Sequence, residues 1–265
     1  MNIFLGPAGS PAKSTLEGIR VVKELGLNAM EVEFVYGVRM SNELAWQVGE
    51  AAKKLDIRLS VHAPYYINLA SSEKEKIAAS KKRILESCER AHYMGARLVV
   101  FHPGFFGKRS KEDTHDMIKN ALDEIKKIIR ERKWNVELAP ETTGKHSAFG
   151  SLEETVQIAK ELACELCVDF AHIYARNAGK IDYAAVLDAV APLHIKNLHC
   201  HFSGINFTKA GERNHLAMGK PAFEPLAKEI LKRKTDITII SESPVTWKDS
   251  LKMKQILKQG YEFDF

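Results

Sequence analysis

Long apolar runs are scarce in this chain of 265 residues. None approaches the ~20 residues that a membrane-spanning helix needs, so no membrane segment is expected. The opening stretch MNIFLGPAGSPAK has neither a basic start nor a long apolar centre, and it does not read as a signal peptide. Cysteine is sparse too: Cys88, Cys164, Cys167 and Cys200 are too few for a disulfide scaffold, and a reducing, cytoplasmic setting is expected. Cys164 and Cys167 make a lone CxxC with no second pair, and small residues leading into a strand explain it as well as a zinc or redox motif. Linkers, repeats and low-complexity segments are missing. Strong charge is missing as well, since a net charge of +5 permits a polyanionic partner without requiring one.

What the chain does have is alternation. Strand-like runs are expected at 2–5, 29–34, 57–61, 97–101, 135–140, 166–168, 194–200 and 237–240, each followed by a helix-like run. Ser10 and Pro11 offer a start for the first helix, Ser71 or Ser72 for the third, and Ser151-Leu-Glu-Glu reads as a capping box for the fifth. Runs such as LVVF and ITII are apolar throughout, as parallel strands buried on both faces are. Eight strand–helix units in this length predict an α/β fold, a single (β/α)8 TIM barrel over residues 1–265. An open doubly wound sheet has the same periodicity and is the alternative.

The strand ends carry the chemistry. Active sites of TIM barrels lie at the C-terminal ends of the strands. Those ends here read His62, His102, Glu141, Asp169, His199 or His201, and Glu242, with His172 and His215 just beyond two of them. Any one histidine is ordinary; six successive strands ending in imidazole or carboxylate point to metal. The mixture of nitrogen and oxygen donors suits zinc, manganese or iron(II) rather than magnesium or calcium. Eight ligands exceed the four of one tetrahedral ion, so two or three ions sharing a carboxylate such as Glu141 are expected.

HAPYYINLAS (62–71), FHPG (101–104), PETTG (140–144), VDFAH (168–172) and SESP (241–244) together resemble the motifs of the endonuclease IV family, in that family's order and over nearly the whole chain. The resemblance implies a zinc-dependent apurinic/apyrimidinic endonuclease. Such an enzyme hydrolyses the phosphodiester 5′ to abasic sites in double-stranded DNA during base excision repair, and a monomer is expected. It makes His62 and His102 ligands of one zinc, with Glu141 bridging to a second. Asp169, Glu242 and a histidine of the HCHFSG run would complete the second. The resemblance favours His201, while His199 lies on the same side of the strand. His172 and His215 would hold a third ion. It also implies Tyr65 and Tyr66 as residues stacking into DNA and Arg39, Arg176 and Arg213 as phosphate contacts.

The chain departs from the family at the third ion. An Asp-Arg-His run belongs there, and this chain reads Gly211-Glu212-Arg213-Asn214-His215, with Arg213 at the aspartate position. Either Glu212 substitutes or the third ion is weak or absent. The rival reading is a sugar isomerase or epimerase of the xylose-isomerase-like kind. Its single metal would need only Glu141, Asp169, the strand-seven histidine and Glu242, with the two glutamates as acid and base.

Overall fold

The computed structural model describes residues 1–262, so the last three positions of the expected 1–265 domain lie outside the described residues. Eight parallel strands form the centre: β1 (Ile3–Pro7), β2 (Ala29–Glu33), β3 (Arg58–His62), β4 (Leu98–Phe101), β5 (Glu137–Pro140), β6 (Cys167–Asp169), β7 (Leu198–Phe202) and β8 (Ile237–Ser241). Hydrogen bonding runs β2-β3-β4-β5 in one half and β1-β8-β7-β6 in the other. Two single parallel bridges, Ala8 to Glu31 and Glu141 to Cys167, join the halves at both seams and close a TIM barrel. The second seam places Glu141 against β6, which is why its side chain points into the barrel and not along a loop.

Helices α1 (Thr15–Glu24), α2 (Asn42–Leu55), α3 (Lys74–Met94), α4 (Lys111–Glu131), α5 (Leu152–Leu162), α6 (Phe170–Arg176), α7 (Tyr183–Val190), α8 (Glu224–Arg233) and α9 (Trp247–Glu262) surround it. The main core lies between barrel and helices: Val61, Val99, Leu138, Val168 and Ile239 face Ile19, Val48, Ile84, Leu122 and Ile158. Inside the barrel the apolar groups are few: a small cluster of Val100, Ala139 and Cys167 with Leu98, and Ile240 beside His201. Much of the rest of the interior is polar, whereas a barrel of this kind is ordinarily filled by branched apolar side chains.

Local chemistry sets the element ends. Ser151 accepts from the backbone N–H of Glu154 while the Glu154 carboxylate accepts from Ser151 N–H, forming the expected capping box. The first helix starts later than expected, at Thr15 under a Ser14 cap, because the Ser10 hydroxyl turns back onto the Ala12 and Ser14 carbonyls. Neither Ser71 nor Ser72 caps α3; its N-cap is Glu73, and Ser71 accepts from the Glu73 N–H within the preceding turn. Strand β7 is displaced from 194–200 to Leu198–Phe202, because a 3₁₀ turn over Ala191–Leu193 precedes it and His194 adopts a left-handed backbone. That shift makes His201 a strand residue. Three features were not anticipated: α6, a short pairing of Gly104–Phe105 with Ala148–Phe149, and a hairpin of Gly204–Thr208 with Gly211–Leu216 over the barrel mouth.

Replacing Ser151 by alanine removes one half of the capping box and is expected to cost about 1 kcal/mol of folding stability, with metal content unchanged. Denaturant titration of the two proteins checks this, and an unchanged midpoint would contradict it.

Candidate metal centre

Glu141 is wholly buried where β5 stops. Its backbone N–H donates to Phe101 and the next N–H, of Thr142, donates to Cys167, so neighbouring strands on both sides hold it. Its Oε2 lies 3.1 Å from the Nε2 atoms of both His62 and His102. Its Oε1 lies 3.2 Å from His172 Nδ1 and 3.3 Å from His201 Nδ1. Burial opposes ionisation, but His102 and His201 beside it outweigh that and hold the carboxyl well below its usual range.

Three overlapping sets of groups converge here. The first is His62, His102 and Glu141; the second is Glu141, Asp169, His201 and Glu242; the third is Asp169, His172, His215 and Glu242. In each set one ligand atom per residue lies within 4.8 Å of the others. Among these three sets only carboxylates are shared, and a carboxylate can bridge two cations; a fourth set, Cys167, His199 and His201, shares His201 with the second. Outer contacts orient the rings. His62 Nδ1 lies 2.7 Å from the Ala63 carbonyl, so Nδ1 carries the donor hydrogen and Nε2 faces Glu141. His172 Nδ1 lies 2.9 Å from the Thr142 carbonyl, leaving Nε2 directed at the third set. The Ser203 hydroxyl lies 2.7 Å from His215 Nδ1.

At the third set the hairpin resolves the irregular sequence. Its register runs Asn206 to Asn214 and then Phe207 to Glu212, so Arg213 is an extra, bulged residue. Without the bulge Arg213 would share a face with His215. With it, Glu212 takes that phase and Arg213 is left exposed. Glu212 Oε2 lies 3.4 Å from His172 Nε2. The Glu212 N–H donates to the Gly144 carbonyl at 3.0 Å, and Gly144 has no side chain to obstruct the approach. Glu212 thus lies beside His172 at the edge of the third set, and Arg213 does not.

Of the groups expected at the mouth, Tyr65, Tyr66, Arg39 and Arg213 are exposed, and the Tyr65 ring lies 5.7 Å from that of His62. Arg176 is a correction. Its guanidinium is largely buried, with Nη1 donating to the carbonyls of Thr143, Lys145 and Ala148 and Nη2 3.9 Å from Glu154, so it clamps the loop after β5 rather than facing solvent where a phosphate would lie. Of the CxxC pair, Cys167 comes within ligand range of His199 and His201, while Cys164 joins no such group among the described residues.

Two glutamates escaped the sequence reading. Glu31 and Glu33 alternate along β2 and both turn inward, Glu31 wholly buried and Glu33 with a buried Oε1 that has no hydrogen-bond partner. The signal was present in AMEVE: an ionisable side chain in a strand whose outer face packs on helices must point into the barrel. Burial pushes the Glu33 carboxyl up to about 8. Asp169 is likewise pushed up to about 8 by burial. Burial disfavours charged His62, but the nearby Glu33 and Glu141 carboxylates outweigh it and raise the imidazole to about 10.

The donor set fits a borderline cation such as zinc. Asp169 Oδ2, His172 Nε2 and Glu242 Oε2 are buried side-chain atoms without a hydrogen-bond partner, and all three belong to the third set. Buried polar atoms are ordinarily satisfied, and a bound ion would satisfy these.

A parallel barrel with this convergence at the C-terminal ends of its strands defines a class, and sequence comparison agrees with it. The chain belongs to the xylose isomerase-like TIM barrel family, whose sequence profile matches residues 19–263. Among its relatives, an uncharacterised protein of Methanocaldococcus jannaschii is 39% identical over 263 residues, covering 94% of each chain. A probable endonuclease 4 of Mycoplasma mobile is 31% identical over 199 residues, covering 69% of this chain and 68% of its own. Among solved structures, a D-tagatose 3-epimerase-like protein superposes with a TM-score of 0.78 at 21% identity, over 99% of this chain and 97% of its own. Endonuclease IV from Thermus thermophilus superposes with a TM-score of 0.72 at 20% identity, over 99% of each chain. The resemblance to endonuclease IV fits these relatives, and the two structures share the fold.

Two outcomes are expected. A methyl group added at Gly144 would lie 2.5 Å from Glu212 Cβ and 3.1 Å from His172 Cδ2. Gly144→Ala should therefore displace Glu212 and lower the zinc content of a still-folded protein by about one ion, measured by elemental analysis; an unchanged content would contradict this. Metal ligands must also be deprotonated, so Asp169 and His62 should each release a proton on zinc uptake at pH 7. Zinc affinity should then strengthen as pH rises toward 8, and titration in weak buffer with an indicator dye reads the release.

Proposed function

We propose that this protein is a zinc-dependent endonuclease that cleaves DNA on the 5′ side of abasic sites. The observation behind the proposal is the surplus of ligands around Glu141. A single-metal sugar epimerase would be served by Glu141, Asp169, His201 and Glu242, which form one compact set. His62, His102, His172 and His215 lie beyond that requirement, yet all are drawn into the same constellation. The relative named as a probable endonuclease 4 supports the same choice.

In this reading His62, His102 and Glu141 hold one ion. Glu141, Asp169, His201 and Glu242 hold a second, and His172 and His215, with Glu212 in place of the family's aspartate, hold a third. Bound zinc would supply Lewis acidity and lower the pKa of water from 15.7 toward ~7. The protein's own groups supply alignment. Glu141, fixed between β4 and β6, would be shared by two ions, and exposed Arg39 and Arg213 would meet backbone phosphates. Tyr65 and Tyr66, about half exposed, stack into the duplex while the abasic nucleotide turns out of it, which is least costly where no base is paired. The water oxygen joins phosphorus as the bond to the 3′-oxygen breaks. A proton passes to that oxygen, leaving a 3′-hydroxyl and a 5′-deoxyribose phosphate.

The second reading has its own support. The epimerase-type set is complete, and an epimerase-like protein shares the fold. Cleavage of a duplex bearing one abasic-site analogue, by zinc-loaded protein, separates the two. Cutting 5′ to the lesion is expected, with Glu141→Gln slower by more than the roughly 100-fold typical of losing an outer-shell partner. An uncut duplex alongside epimerisation of a ketose would favour the alternative.

A further inference from the structure

Beneath the three sets lies a second layer of polar side chains that the proposed reaction does not use. Its centre is Glu31, wholly buried in the barrel interior. Ser60 Oγ donates to Glu31 Oε2 at 2.7 Å, and His199 Nε2 lies 2.9 Å from the same oxygen. The other oxygen, Oε1, lies 2.8 Å from His201 Nε2. Although 2.8 Å apart, the two atoms lie off hydrogen-bond geometry, and neither has any other partner. The opposite nitrogen of the same ring, Nδ1, lies 3.3 Å from both Glu141 and Glu242. One imidazole thus spans two carboxylate layers, and it can present a lone pair to only one of them.

We propose that Glu31 is a positioning residue for the metal centre, holding His201 in the tautomer whose Nε2–H points down to Glu31 and whose Nδ1 lone pair faces the ions. This rests on the metal-binding reading above. The opposite tautomer would set the Nε2 lone pair against a wholly buried carboxylate oxygen, an uncompensated repulsion. Ser60 and His199 hold the far oxygen, so Glu31 cannot turn aside. Such carboxylate–histidine–metal chains fix ring orientation and make the imidazole a stronger donor. The layer also assigns the two histidines of β7: His201 faces the ions, and His199, one layer lower, buttresses Glu31.

The test reads the ring and the metal rather than cleavage. In zinc-loaded wild-type protein with ¹⁵N-labelled histidine, long-range nitrogen–proton spectra should show His201 protonated at Nε2, its signals identified by their loss in His201→Asn. Glu31→Gln fills the same volume but can present an amide N–H to His201, favouring the wrong tautomer; zinc affinity, by competition with a chelator, should fall 10- to 100-fold. His201 protonated at Nδ1 in the wild type would overturn the inference whether or not the variant folds. So would an intense thiolate-to-cobalt absorption in cobalt-substituted protein, which would place metal on Cys167 with His199 and His201. A protein that held zinc with the expected tautomer yet cut no DNA would sustain this inference while sinking the nuclease reading.

Discussion

A single carboxylate, that of Glu141, is wholly buried and touched by four imidazoles, those of His62, His102, His172 and His201. Each of those rings arrives from a different stretch of chain, and the closed barrel is what brings them to one point. The barrel seam between β5 and β6 turns Glu141 inward. The strand ends of β3 and β4 supply His62 and His102, and the first turn of α6, capped by the Asp169 side chain, supplies His172. In the absence of a cation the buried carboxylates raise His62, His172 and His201 above the ordinary imidazole range and so favour their protonated forms. A bound cation would balance those carboxylates instead and release the protons.

Such an interior is expensive for the fold. Groups of buried charges seldom add stability over well-packed apolar residues, and removing one partner leaves the others uncompensated. The stability of this chain therefore rests on the apolar layer between barrel and helices, while the barrel's inside is given over to Glu31, Ser60, His199 and the ligand groups above them. Retaining so many ionisable groups in the least favourable place is intelligible if their business is to hold cations in fixed positions relative to one another. Layering serves the same end: the lower tier lies against the upper tier's rings.

The eightfold alternation was legible because parallel strands buried on both faces stand out as apolar runs, and because the strand ends His62, His102, Glu141, Asp169 and Glu242 are abrupt. What was hidden depends on pairing rather than spacing. Arg213 looked like an intruder at a ligand position, because a bulge exists only in the register of two strands and cannot be seen in either alone. Glu31 was overlooked because attention to strand ends misses the middle of a strand, where the same inward face continues. Arg176 stood in a loop at the right end of the barrel, and only the carbonyls it meets show it to be a clamp. The late start of β7 followed from a left-handed His194, a conformation the residue type does not announce.

The central claim is that these side chains form a multinuclear metal centre. The most direct test is to strip the purified full-length protein with chelator, return it to excess zinc, remove unbound ion and count the metal retained per chain. Two or three tightly held zinc ions, with a higher thermal midpoint than the stripped protein, are the predicted result. A folded protein that retains none, and whose midpoint does not move with zinc, would contradict it.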